Sequence, residues 1–202
     1  ALVVAMFAET TQTLKLRNPN RRALEGTLVF PLPDGAVVSG YAIDIDGALV
    51  DGVIVPKQEA RRILETEIRK GIDPGLVEQV QGNVYRTRIY PLPPGGTRTV
   101  RIVYVSDLAC DGNSAAYHLP LGHAKAIGSV ALRVEIKAGE VTPQLTGALG
   151  NLTLAKLRDG FVAEATLPHG VASDDLLVRL PELPRHVRAV EQQGDDAYFA
   201  IS

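Results

Sequence analysis

Apolar and polar residues alternate one by one in several parts of the chain, which is the period of a half-buried β-strand. The clearest run extends from 130 to 137, where four aliphatic residues alternate with Ala, Arg, Glu and Lys. The same alternation occurs at 14–17 and 41–45. Short apolar runs bounded by turn residues predict further strands at 151–156, 161–166, 176–180 and 197–201. The pattern therefore predicts a mainly β chain built from antiparallel strands.

One segment of the first half has a different period. Apolar residues recur there at helical spacing, and these residues are Ala60, Ile63, Leu64 and Ile68. Pro56 precedes the segment and Gly71 follows it, which suits the start and the end of a helix. We therefore predict one amphipathic helix over about 57–70, inserted between strands.

The sequence Pro-Leu-Pro occurs twice, after Phe30 and after Tyr90, and each copy is followed by a strand-like run. Because proline donates no backbone hydrogen bond, each copy limits how a strand can continue. The repetition is a hint of internal pseudo-symmetry.

The composition changes in the middle of the chain, where Ser, Asp, Gly and Asn crowd together at 107–116. Such polar stretches are typical of connections between modules. We therefore expect one domain at 1–108 and a second, all-β module at 109–202.

The chain has 202 residues, 46% of them hydrophobic, and a formal net charge of −2. Without a local basic cluster, this balance gives no reason to expect a nucleic-acid partner. No apolar run reaches the roughly 18 residues of a membrane-spanning helix, so we expect no direct membrane insertion of this segment.

The single cysteine, Cys110, excludes an intramolecular disulfide. A buried, inert thiol is favoured there, because nothing beside it in sequence would stabilise a thiolate.

Three aspartates near glycines, Asp44, Asp46 and Asp51, raise the possibility of a calcium site. A strand, however, places Asp44 and Asp46 about 6 to 7 Å apart on one outward face. No glutamate closes a twelve-residue calcium loop. The solvated-strand interpretation is favoured, and we predict no metal site.

Candidate catalytic groups are equally sparse. His118 and His123 are the only histidines close in sequence, but their spacing lacks the helical geometry of a zinc motif. A surface role is favoured over a hydrolase that would use either of them. The chain contains no nucleophile elbow, phosphate loop or dinucleotide fingerprint. We therefore expect no catalytic residue, no cofactor and no enzymatic activity.

Several short motifs occur in a fixed order in the first half of the chain. The earlier ones are Asn18-Pro19, the run 24–37, Asp46-Gly47 and Gly52. The later ones are Lys57, Glu59-Ala60-Arg61, Gly71, the run 73–79, Asn83-Val84-Tyr85 and Pro93-Pro94-Gly95. Together they resemble the VIT domain, the vault protein inter-alpha-trypsin module, over about residues 8–108.

The resemblance implies an antiparallel β-sandwich-like domain with an inserted helix and no catalytic role. Such domains usually precede a von Willebrand A-type domain in large secreted or membrane-attached proteins. The resemblance thus implies that 109–202 is the β-rich module leading into that domain. It also implies an extracytoplasmic location, whether secreted, periplasmic or surface-attached.

We expect a non-catalytic interaction or scaffold module whose partner is the adjacent A-type domain or another protein. Contact residues are expected on the helix and just after it, because connecting segments can vary more readily than paired strands. The candidates are Arg61, Arg62, Glu65, Glu78, Asn83 and Arg86. Two alternatives stay open: these charges only keep the fold soluble, or the domain is a ligand-binding β-sandwich for sugar or calcium. The absence of tryptophan weakens the sugar version.

Overall fold

The computed structural model describes residues 1–4, 6–45, 47–55, 76–121, 128–147, 152–168, 175–182, 188–193 and 196–201. All regular elements in these ranges are β-strands, which confirms the mainly β fold. In chain order the strands are β1 (Leu2–Val4), β2 (Phe7–Arg17), β3 (Leu24–Pro31), β4 (Val37–Ile45), β5 (Ala48–Asp51), β6 (Val53–Val55), β7 (Leu76–Gln81), β8 (Val84–Leu92), β9 (Thr97–Asp107), β10 (Ala109–Asp111), β11 (Ser114–Leu119), β12 (Ser129–Lys137), β13 (Gln144–Gly147), β14 (Ala155–Leu157), β15 (Gly160–Pro168), β16 (Leu176–Leu180), β17 (Arg188–Gln193) and β18 (Asp196–Ile201).

The predicted helix over 57–70 is not borne out by the described residues. That range lies outside them, and the described part of the chain contains no helix. The same part of the chain accordingly holds no helix with the length and apolar character needed to cross a membrane.

The strands form two compact units. The first, which we call the central unit, consists of Glu9–Ser106. The second, the split unit, consists of Ala1–Ala8 together with Asp107–Ser202. Each unit has its own cluster of buried hydrophobic side chains.

In the central unit, four strands follow the order β2-β9-β4-β5 and four others the order β3-β8-β7-β6. Neighbouring strands whose registers are described run antiparallel, except β6 and β7, which are parallel. Side chains from both groups of strands form one core. Its larger members are Phe30, Tyr41, Ile43, Val77, Tyr85, Ile89, Val100, Ile102 and Tyr104. Inside this core the hydroxyl oxygens of Tyr41 and Thr87 are 2.8 Å apart and link β4 to β8.

In the split unit, one group of strands has the order β14-β15-β12-β1 and another the order β10-β11-β16-β13. Strand β1 is parallel to β12, whereas the other described pairs are antiparallel. Strands β17 and β18 form a separate hairpin. The core of the unit includes Val3, Ala115, Tyr117, Val134, Ile136, Leu176, Val178 and Leu180.

Strand β12 illustrates how the alternating pattern creates a core face. Val134 and Ile136 are buried, whereas Arg133 and Lys137 are exposed. Arg133 donates a hydrogen bond to Glu164, the residue directly opposite it on β15. One face of this sheet therefore lies in the core and the other carries charge.

The two Pro-Leu-Pro sequences form turns of the same construction. In each turn the carbonyl oxygen of the second proline, Pro33 or Pro93, accepts a backbone hydrogen bond from the residue three positions later, at 3.1 and 3.0 Å. The third residue of each turn is a glycine with positive φ, Gly35 at 76° and Gly95 at 63°. Glycine is favoured at both positions because it adopts this conformation without steric cost.

An asparagine amide binds each of these turns. The Nδ2 group of Asn83 donates to the carbonyl oxygen of Pro33. At the other turn, Nδ2 of Asn18 lies 3.0 and 3.1 Å from the carbonyl oxygens of Leu92 and Pro93. We call Asn18 and Asn83 the asparagine latches. The two turns lie at opposite ends of the β3–β8 pair, so the repeated sequence corresponds to a repeated turn with its own latch.

Cys110 is exposed, so the expectation of a buried thiol is wrong. It lies on β10, a three-residue strand at the end of its sheet whose side chains are all exposed. Because this short edge strand buries none of its three side chains, the small apolar character of cysteine does not bury Cys110.

Candidate interaction surface

The predicted contact residues divide into two groups. Glu78, Asn83 and Arg86 lie in the β7–β8 hairpin, with Glu78 on β7, Arg86 on β8 and Asn83 in the turn between them. The other three, Arg61, Arg62 and Glu65, lie outside the described residues. The candidate surface is therefore built from the hairpin and the strand beside it.

Glu78 and Arg86 lie directly opposite each other on β7 and β8. Nη2 of Arg86 is 2.9 Å from Oε1 of Glu78, and the two side chains are 44% and 21% exposed. An ion pair with this much exposure typically contributes no more than about 1 kcal/mol to stability. Its main effect is to fix where the guanidinium lies on the sheet.

Val29 lies on the other side of Arg86, directly opposite it on β3, and is 55% exposed. In the next cross-strand pair on the same face, Thr27 of β3 lies opposite Arg88 of β8. Nε of Arg88 is 2.5 Å from Oε1 of Glu25. This hydrogen bond with the Arg88 guanidinium lowers the pKa of Glu25 from its usual value. The carboxylate therefore stays ionised at a more acidic pH than an isolated glutamate would.

We call this surface the outer β8 face. Its members are Glu25, Thr27, Val29, Glu78, Arg86 and Arg88. It carries two positive and two negative side chains beside one exposed valine, which lies on the edge strand β3. The opposite face of the same strands contains core residues, including Phe30 and Tyr85, whose rings stack with centroids 5.8 Å apart. The surface thus combines an exposed apolar side chain at its edge with charges that the ion pairs hold in place, a combination suited to protein recognition.

Asn83 makes intramolecular contacts. Its side-chain amide is one of the asparagine latches, and its backbone carbonyl oxygen accepts a hydrogen bond from the amide of Leu32 at 3.0 Å. The side-chain bond to Pro33 explains a structural need for asparagine at this position. Participation of Asn83, Glu78 or Arg86 in partner binding stays a prediction.

A histidine–aspartate pair in the split unit links strand β11 to the residue just before β16, a contact that is not evident from the sequence because the two residues are 57 positions apart. Nε2 of His118 is 2.8 Å from Oδ2 of Asp175, and Oδ1 of Asp175 accepts the backbone N–H of Leu121 at 2.9 Å. The aspartate thereby ties the end of β11 to the start of β16. In the ranges that the structure describes, no group of three His, Cys, Asp or Glu side chains could hold a metal ion.

Comparison with known families identifies the fold of the first half. The vault protein inter-alpha-trypsin (VIT) domain family matches residues 1–104, which is more than half of the chain. The chain therefore belongs to this family, and the resemblance based on the ordered motifs is confirmed.

The relatives are much longer proteins. Mouse protein mono-ADP-ribosyltransferase PARP4 is 28% identical over 118 residues, which are 58% of this chain and 6% of that protein. Human inter-alpha-trypsin inhibitor heavy chain H4 is 28% identical over 103 residues, or 50% of this chain and 11% of that protein. Mouse von Willebrand factor A domain-containing protein 5A is 25% identical over 114 residues, or 55% of this chain and 14% of that protein.

A solved structure has a similar fold over a larger part of the chain. It is the crystal structure of a putative nutrient binding protein from Legionella pneumophila, with a TM-score of 0.53 and 13% sequence identity. The similarity covers 86% of this chain and 60% of that one. At this identity the comparison concerns the fold alone.

Proposed function

We propose that this chain is a non-catalytic interaction and scaffold module of a larger protein that contains VIT and von Willebrand A-type domains. It binds the adjacent A-type domain, or another protein, through the outer β8 face. The observation that carries this proposal is the exposed Val29 on the edge strand β3, beside the ion pairs Glu78–Arg86 and Glu25–Arg88. Family membership and the von Willebrand relative support the context.

The composition of the outer β8 face predicts the character of the interface. One exposed valine supplies little apolar area, so most of the selectivity comes from matching the charge order Glu25–Arg88 and Arg86–Glu78. Charge matching of this kind contributes to specificity and association rate more than to raw affinity. A partner surface that presents the complementary order around an apolar side chain fits this face.

The transferase activity in the name of PARP4 is not part of the proposal, because the match spans only 6% of that protein. The module boundary that the sequence suggests, between residues 108 and 109, stays a proposal; the compact units divide instead at 106–107 and place residues 1–8 with the later unit. An extracytoplasmic location is proposed from family membership. Detection of the intact gene product in separated cell fractions tests this location.

The proposal is tested by isothermal titration calorimetry with the A-type domain encoded by the same gene, supplied in trans. The informative variant exchanges the two charges, Glu78→Arg together with Arg86→Glu. This double change keeps the intramolecular ion pair but reverses its direction on the surface. We expect the variant to fold normally and to bind at least about tenfold more weakly.

Two matched controls separate the outer β8 face from general surface effects. Lys15→Glu reverses one charge at an exposed position of β2, and Val37→Lys changes an exposed valine on β4. Both are expected to bind like the unmodified chain, whereas Val29→Lys is expected to weaken binding. Absence of binding by the unmodified chain, or equal binding by the charge-exchanged variant, contradicts binding of the A-type domain through the outer β8 face.

A further inference from the structure

We infer that residues 1–8 form a strap that completes the split unit, and that displacing this strap opens the split unit while the central unit remains folded. The segment comes first in the sequence but belongs to the unit formed by the last part of the chain. The split unit is therefore closed by a segment that is separated from the rest of it by residues 9–106.

Backbone hydrogen bonds attach the strap at both of its ends. Near the start, the amide of Glu135 donates to the carbonyl oxygen of Ala1 at 2.9 Å. Near the end, the amide of Leu108 donates to the carbonyl oxygen of Met6 at 2.8 Å. Between these points β1 pairs in parallel with β12, with Val3 opposite Ile136. The strap is thus paired to two separate segments of the split unit.

Side-chain packing makes the strap part of the core. Val3 and Ala8 are both 0% exposed and belong to the same buried cluster as Val134, Ile136 and Leu176. Removing the strap exposes these apolar side chains and leaves one edge of β12 unpaired. Both effects destabilise the unit, because apolar surface returns to water and the bonded edge loses its partner.

The weak attachment of the strap allows the split unit to open while the central unit stays folded. A short parallel strand has few hydrogen bonds, and its attachment depends on one buried side chain, Val3. Local opening with a free energy below that of global unfolding is a general property of such weakly attached segments. The central unit has a separate core that contains no residue of the strap, so its protection does not depend on Val3.

Hydrogen exchange measured by mass spectrometry on the full chain tests the inference. Val3→Asp places an unpaired carboxylate in the apolar core and is expected to release the strap. Amides of β11, β12 and β16 should then exchange at least about tenfold faster, whereas those of β4, β8 and β9 keep their rates. Val3→Ala, a milder change, should accelerate the same three strands to a smaller extent.

The control is Val37→Asp, which introduces the same carboxylate at a valine that is 64% exposed. It should leave exchange in both units unchanged. A synthetic peptide with the sequence of residues 1–8 should restore protection to the Val3→Asp chain, and a peptide with aspartate at its third position should not. Unchanged exchange in both Val3 variants, or an equal loss of protection in β4, β8 and β9, overturns the inference.

Discussion

Replacement of Asn18 by aspartate tests the role of the asparagine latches most directly. Asn18 is fully buried, and its Nδ2 group lies 2.9 Å from the carbonyl oxygen of Arg22, 3.0 Å from that of Leu92 and 3.1 Å from that of Pro93. Its Oδ1 accepts the backbone N–H of Asn20 at 2.9 Å. Aspartate has almost the same shape, but an ionised carboxylate has no hydrogen to donate to the three oxygens.

The cost follows from the carbonyl groups that lose their donor. Pro93 keeps the backbone bond of its turn, and Arg22 is exposed, so water can replace the donor there; the main loss is at the half-buried Leu92. Leaving a buried polar group unsatisfied costs roughly 1 to 3 kcal/mol. This is a large share of the roughly 5 to 15 kcal/mol by which a native domain is stable. Asn18→Asp should therefore strongly destabilise the central unit.

Unfolding in urea is monitored through hydrogen exchange of the backbone amides in β4, β8 and β9. These amides report on the central unit alone. Asn20→Asp is the matched control, because Asn20 is exposed and belongs to the same unit, and it should change stability by less than about 0.5 kcal/mol. The deficit of Asn18→Asp should shrink in acid, because burial among carbonyl oxygens raises the pKa of the new carboxyl and the protonated form can donate one bond. Equal unfolding midpoints for the two variants would refute the reasoning.

Three further predictions concern packing, pH and metal ions. In Gly160→Ala the new Cβ would lie 1.9 Å from the carbonyl oxygen of Ile136, so we expect a loss of roughly 3 kcal/mol or more in urea unfolding. Gly26→Ala, with no heavy atom within 4 Å of its Cβ, should cost less than about 1 kcal/mol, and similar losses at both sites would contradict the packing argument. Burial raises the pKa of Tyr104, so its contribution to stability is complete below about pH 10 and is lost as the pH rises through the folded-state pKa. Thermal midpoints should therefore fall less steeply in alkali for Tyr104→Phe than for the unmodified chain or for Tyr90→Phe, and parallel curves would count against this. EDTA should leave the thermal midpoint unchanged, and a rise of several degrees in millimolar calcium would reveal a metal site.

Strands with one buried face could be predicted well from the sequence. The expected strand at 130–137 corresponds to β12 (Ser129–Lys137), and the expected strand at 176–180 coincides with β16. Both succeed for the same reason: one face packs in a core while the other meets solvent, so the sequence must alternate. Strand β1 could not be found, because its three residues are all apolar and its partner lies more than 125 positions later.

Part of the candidate surface could be predicted from the sequence. Gly82-Asn83 between two apolar-rich runs is a two-residue hairpin signal. A regular register would place Gln79 opposite Arg86, and the irregularity between Gln79 and Gln81 brings Glu78 there instead. The position of Val29 beside Arg86 carries no such local signal, because β3 and β8 are separated by more than 50 residues. The acceptors through which the asparagine latches hold the Pro33 and Pro93 turns lie 50 to 75 positions away in sequence. An asparagine that forms such a latch therefore has the same local sequence pattern as one that only forms a turn.

The asparagine latches also have a consequence for chemical ageing. An asparagine deamidates when the backbone nitrogen of the next residue attacks its side-chain carbonyl carbon. Asn18 is followed by Pro19, which has no backbone N–H to lose, and Asn83 by the β-branched Val84, whose bulk hinders ring closure. Asn113 is exposed and followed by the small Ser114. On long storage, deamidation should therefore accumulate first at Asn113, and the two amides that hold the turns should outlast it.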